Sequence, residues 1–258
     1  MNMEPLVLAA VIFLAALAAG SIPLSRRVGE HTDLLRWMTG VAAGVLLASA
    51  LLVAIPEGFA LAQGDAGLAI LAGFLMMLIL EGMGIGHDIH EEHHDHAGPD
   101  HVHHPEGGYT LVIGLTVHAA TDGLAIGAAL ASGSLHLTLG VFIAVLMHKL
   151  PAAFSLGVFS LHERGDRNKA FRDLFVFSLA TPLMILVTFH LLGDVSDSVV
   201  GLALLFAGGT FLYVATVDVL PDVHSSETGR AALVQVLTGA ILMGALLYGL
   251  QASGLVAH

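Results

Sequence analysis

The chain has 258 residues, a formal net charge of −12 and no cysteine. Its hydrophobic share is 56% and its charged share 12%, where a soluble domain carries about a quarter charged residues. Composition therefore argues against a soluble globular domain. It excludes disulfide frameworks, iron–sulfur clusters and thiolate metal sites, and the negative charge does not fit nucleic-acid binding.

The apolar residues come in runs of the length that spans a bilayer, roughly 20 residues each. Eight candidate spans lie near residues 4–24, 35–57, 66–86, 109–132, 135–161, 171–192, 198–222 and 230–252. The first resembles a signal peptide in ending on small residues, Ala18, Ala19 and Gly20. Its polarity is the reverse: Glu4 leads it and Arg26 and Arg27 follow. A secretory leader has its bases in front, so this run is read as a retained helix.

Eight of the nine Lys and Arg residues fall at odd-numbered loops: Arg26, Arg27 and Arg36 at the first, Arg164, Arg167, Lys169 and Arg172 at the fifth, Arg230 at the seventh. The positive-inside rule then puts the odd loops in the cytoplasm and both termini outside. The ninth base, Lys149, lies inside the fifth span, where an ionisable side chain is costly and marks a functional site by default.

The second span ends "AGVLLASALLVAIPEG" (Ala43 to Gly58) and the seventh "GGTFLYVATVDVLPDV" (Gly208 to Val223). Aligning Pro56-Glu57 with Pro221-Asp222 also places Gly44 on Gly209. By the charge rule the two spans run in opposite directions. The pattern is therefore an inverted repeat, three helices on each side of a central pair. Glu57 then marks an outer mouth, Asp218 and Asp222 an inner one, and a site is expected between them on the fourth and fifth helices.

Those two helices carry the polar residues. His118 and Asp122 are four apart in the fourth span and share one helix face. Gly123 and Gly127 beside them permit close helix packing. In the fifth, "MHKLPAAF" (Met147 to Phe154) brings His148 and Lys149 to similar depth. Pro151 takes the helical partner from the Met147 carbonyl, which at membrane depth requires protein or a polar cavity. A lone buried histidine is more often a helix–helix hydrogen bond than a ligand. Two imidazoles and a carboxylate together form a divalent-cation site suited to zinc and tolerant of iron or nickel.

Between the third and fourth spans, "GHDIHEEHHDHAGPDHVHHPEGG" (Gly86 to Gly108) holds His87, His90, His93, His94, His96, His101, His103 and His104 among six acidic residues. Such a tract reads as metal binding rather than as core, and the charge rule puts it in the cytoplasm.

At these residues the chain resembles the ZIP (Zrt/Irt-like protein) family. "HAATDG" (His118 to Gly123) is similar to the family's fourth-helix motif, and "HKLPAA" (His148 to Ala153) stands where its fifth-helix motif stands. The resemblance covers essentially the whole chain. It implies an all-α polytopic membrane protein of eight helices arranged three-two-three. That makes one transporter domain over residues 1–258: helices 1–3 over about 4–86, the histidine-rich loop over 86–108, helices 4–5 over about 109–161 and helices 6–8 over about 171–252. It also implies uptake of zinc, or of iron, manganese or cadmium, into the cytoplasm by a multi-pass protein of the plasma membrane, or of the inner membrane of a bacterium. The family is often dimeric. Many of its members have a two-metal site whose further ligands would stand at Ala119, Lys149, Ala152 and Thr181. With none of these a ligand, one metal is expected, held by His118, Asp122 and His148, with Lys149 supplying the charge of the second. "HKLPAAF" is similar to a branch that keeps this lysine.

Three other functions compete. A six-span zinc exporter has both termini in the cytoplasm, against the distribution of arginines. An intramembrane zinc hydrolase needs a general base beside the metal, and no spare carboxylate stands next to the triad. A metal sensor would bind without flux. No enzyme activity and no cofactor are expected beyond the transported ion.

Overall fold

In the computed structural model, which describes residues 5–25, 32–62, 64, 66–85, 107–193, 195–217 and 229–252, the apolar runs fold as helices. They are α1 (Pro5–Ser25), α2 (Thr32–Ser49), a π-helical turn (Ala50–Ala54), α3 (Ile55–Leu61), α4 (Ala66–Gly82), α5 (Gly107–Ala131), α6 (Leu135–Arg164), α7 (Arg167–Leu192), α8 (Asp197–Val217) and α9 (Gly229–Ala252). Among the described residues there is no strand. Seven stretches are long and apolar enough to cross a membrane, with α2, the π turn and α3 counting as one from Trp37. The remaining apolar helix, α4, has 17 residues, about 25 Å at 1.5 Å per residue.

The π turn has a local cause. Pro56 cannot donate to the turn before it, and its ring crowds the carbonyl four residues back. The turn widens, and the Ile55 N–H donates to the Ala50 carbonyl, five residues back.

Two helix ends differ from the expected spans. The third span was expected to reach residue 86, but α4 stops at Gly82. Gly84 takes a left-handed φ of 75° and the Ile85 N–H turns back to the Leu80 carbonyl at 2.9 Å. This glycine-centred stop caps the last carbonyls. The fifth loop, expected over about ten residues, is reduced to Gly165 and Asp166. Gly165 ends α6 in the left-handed region, with φ of 58°. Asp166 caps α7, its carboxylate accepting from the N–H groups of Asn168 and Lys169. The basic residues Arg167, Lys169 and Arg172 are thus helical. Hydrophobicity marks where a helix leaves the apolar layer, whereas capping marks where it ends. Within the seventh span, residues 218–222 lie outside the described part.

The helices fall into two groups. α1, α5, α6 and α7 pack on one another; α2–α3, α4, α8 and α9 form the other group. α2 with α6, and α5 with α8, join them. Glycines set the closest crossings. A methyl group on Gly44 of α2 would strike the Val236 carbonyl oxygen of α9, and one on Gly239 of α9 would strike that of Val41. Likewise, a methyl on Gly209 of α8 would strike the Ile70 carbonyl oxygen of α4, and one on Gly73 of α4 that of Phe206. Between membrane helices, where lipid is as apolar as leucine, such close backbone approach is the main source of packing energy. In the first group, Gly123 and Gly127 of α5 meet the backbone of α7 at Thr181 and Ile185, the close packing expected of them.

The apolar interior divides into two clusters. One includes Ile126, Val145, Leu204 and Phe211; the other includes Leu115, Leu156, Leu174 and Phe177. On α5 the change falls between Ala119 and Ala125, and on α6 between Met147 and Ala153. That gap holds Asp122, His148 and Lys149.

Candidate metal site

α5 and α6 present the polar residues to each other near their midpoints. His118 and Asp122, one turn apart on α5, bring Nε2 and Oδ1 to 3.6 Å. His148 of α6 brings its Nε2 to 3.2 Å from the same oxygen. One ligand atom from each of the three residues lies within 4.8 Å of the other two. All three side chains are buried, at 1–3% exposure. α6 runs unbroken through Pro151, so the proline leaves His148 on a regular helical ridge.

The His148 ring is held by its other nitrogen. Nδ1 lies 2.9 Å from the Ala144 carbonyl oxygen, which can only accept, so Nδ1 carries the proton. In a neutral ring Nε2 then presents its lone pair to the Asp122 carboxylate. Two lone-pair carriers 3.2 Å apart are satisfied by a cation between them. The bond to a backbone carbonyl is the arrangement that orients histidines which ligate metals.

Lys149 also points inward. Its Nζ is 3.5 Å from Asp122 Oδ2 and 4.2 Å from the centre of the Phe177 ring on α7, and the residue is 1% exposed. It does not snorkel to an interface. The carboxylate and the π face together offset part of its desolvation cost. Asp122 thus shows one oxygen to two imidazoles and the other to an ammonium.

Two of the positions where many family members would place further ligands meet each other. The Thr181 hydroxyl donates to the Ala119 carbonyl oxygen at 2.7 Å. A third such position, Lys149, faces Asp122.

Of the other expected residues, the structure describes Glu57. Glu57 is half-buried in the first turn of α3, at the far end of the π turn. Asp218, Asp222 and the loop histidines His87, His90, His93, His94, His96, His101, His103 and His104 lie outside the described residues. The sequence predicted α8 as a span but gave no sign that it reaches the cluster. The Thr210 hydroxyl donates to the Thr121 hydroxyl of α5 at 3.3 Å, and Phe211 stands beside both imidazoles. A threonine and a phenylalanine in an apolar helix look like ordinary core, so neither carried a signal.

Fold and cluster together define a multi-pass helical membrane protein with a buried set of groups that could hold a cation. The sequence profile of the family described as ZIP Zinc transporter matches residues 84–247. The "Zinc transporter ZIP9" of Micropogonias undulatus is 32% identical over 277 residues, covering 87% of this chain and 86% of that protein. The "Zinc transporter ZIP9-B" of Xenopus laevis is 31% identical over 280 residues, covering 89% and 90%. The "Zinc transporter ZIP9" of Macaca fascicularis is 43% identical over 148 residues, covering 52% and 63%. The chain belongs to the ZIP family of zinc transporters, and the hydrolase and sensor readings give way to divalent-metal transport.

Proposed function

We propose that this protein takes up zinc into the cytoplasm through a single mid-membrane site formed by His118, Asp122 and His148. The observation that carries the reading is the convergence of their ligand atoms within 4.8 Å in a buried position. The carbonyl-held His148 ring supports it. So do the names of the relatives, all zinc transporters. Imidazole with carboxylate also admits iron, manganese and cadmium. One ion rather than two fits the places of the absent ligands, where Thr181 bonds to the Ala119 carbonyl and Lys149 faces Asp122.

The path runs from Glu57 at the outer mouth through the triad to Asp218, Asp222 and the histidine-rich loop. We take α4 as an eighth span and the arrangement as three-two-three with an inverted repeat. The glycine crossings support the repeat, because the α2–α9 contacts and the α8–α4 contacts correspond under the alignment of Gly44 with Gly209: Val41 corresponds to Phe206, and each partner helix returns a glycine three residues on. The basic residues support cytoplasmic odd loops and outside termini. A homodimer in the bilayer is the expected assembly.

Flux into proteoliposomes tests this reading, with the wild type beside His118→Ala and with zinc, iron, manganese and cadmium compared. Saturable zinc uptake that disappears in the variant is the expected outcome. Uptake that persists without His118 places the site elsewhere.

A further inference from the structure

The triad has a cover that contributes no ligand. His118 and His148 have ring centres 5.6 Å apart. Phe211 completes a triangle with them, 6.3 Å from His118 and 5.9 Å from His148, inclined at 73° and 65°. It is 1% exposed. Asp122 and Lys149 lie along the α5–α6 side and Phe177 along α7, so Phe211 is the wall supplied by α8. A benzene ring has no lone pair to give a metal, and this one is buried against both imidazoles.

The ligands and their cover belong to different helix groups. α5 and α6 pack with α1 and α7, whereas α8 packs with α2–α3 and α4. Beside the ring, the Thr210–Thr121 hydroxyl bond is a weak link between the groups at 3.3 Å. Withdrawing α8 would part the Phe211 ring from its edge contacts with both imidazoles, while the three ligand residues stay on α5 and α6. A site with three protein ligands and an apolar fourth wall holds zinc less firmly than a closed four-ligand site, which is the structural and non-exchanging kind.

From this geometry we infer that Phe211 is the closing residue of the metal site, an apolar plug that keeps the coordination incomplete so that the ion can leave. The inference rests on the proposed mid-membrane site and adds a determinant of turnover to it.

The test places a ligand where the plug stands. Phe211→His puts a third imidazole, smaller than the ring it replaces, beside His118 and His148. Zinc uptake into proteoliposomes is followed for KM and Vmax, with Phe13→His of α1 as the control histidine elsewhere in the membrane. Phe211→His is expected to lower both KM and Vmax by about tenfold, the scale on which groups around a metal tune its affinity. A packing role alone would lower Vmax and leave KM where it was, and that result overturns the inference. Should Phe211→His not insert stably, Phe211→Ala decides. It opens the fourth position to water and is expected to shift the KM for zinc; an unchanged KM overturns the inference. Absence of zinc uptake by the wild type would count against the proposed function itself, before any Phe211 variant is compared.

Discussion

At the scale of single residues, Asp122 is the centre of the protein's chemistry, with imidazoles on one oxygen and an ammonium on the other. Two unit charges 4 Å apart exchange roughly 4 kcal/mol at an effective dielectric constant of 20. At the proposed site Lys149 would therefore compete with the ion for the same carboxylate. Replacing it with an apolar side chain of similar length, Lys149→Met, is expected to lower the KM for zinc by about tenfold or more, a fraction of that Coulomb term. It also leaves Asp122 as a buried charge with no cationic partner, which costs about 3–5 kcal/mol. The variant should melt lower than the wild type without metal and recover more of its stability when zinc is added. Thermal unfolding with and without zinc checks this, and equal zinc-induced shifts in the two proteins would remove Lys149 from the site. His118, Asp122, His148 and Lys149 were legible in the sequence because each is a polar residue in an apolar run, an expensive placement that needs a reason. Phe211 and Phe177 were not, because their side chains are at home in an apolar helix, and Thr181 was marked only as the place of an absent ligand. Only their positions against α5 and α6 give them meaning.

At the scale of helices, packing depends on backbone approach at a few glycines and, at the end of α6, on the ion pair of Arg164 with Asp173. Gly44→Leu and Gly209→Leu each place a side chain against a carbonyl of the neighbouring helix, and each should cost about 1–3 kcal/mol by overpacking. If the repeat is real, the two losses are similar, and denaturation in detergent will compare them. The Arg164 Nε donates to Asp173 Oδ2 at 2.8 Å, where the two side chains are only 11% and 5% exposed. The guanidinium also covers the Tyr109 ring at 3.9 Å. This contact ties the start of α5 to the end of α6 and to α7. Asp173→Ala removes a buried carboxylate from the guanidinium and should destabilise the protein by about 3 kcal/mol, whereas the double change Asp173→Ala with Arg164→Met should recover much of that loss. The apolar helices were legible from hydropathy to within a few residues. The ends of α4 and α7 were not, because a helix ends where a glycine or a capping carboxylate satisfies its last groups, at a depth that apolar length does not record.

At the scale of the whole molecule, orientation is the property most open to direct measurement. The chain contains no cysteine, so single cysteines can be introduced without a background. With both termini outside, Met3→Cys and Ala257→Cys in intact cells should react with a membrane-impermeant maleimide, and Arg167→Cys should react only after lysis. The reverse pattern would invert the proposed direction of uptake.

The sequence alone determined that this is a multi-pass helical membrane protein of the ZIP family, and it singled out the histidines, carboxylate and lysine at its centre. Those conclusions follow from one-dimensional facts: the length of apolar runs, the placement of charge and the four-residue spacing that puts two side chains on one helix face. The tertiary structure alone decided what surrounds them: the ammonium on the second oxygen of Asp122, the threonine that bonds to the Ala119 carbonyl, the phenylalanine across both imidazoles and the division of the helices into two groups. These depend on which helix faces which. Inside a bilayer nearly every face is apolar, so hydrophobic periodicity cannot choose between neighbours. The choice is made by where glycines let backbones meet and where buried polar groups find partners, and both are settled only when the chain has folded.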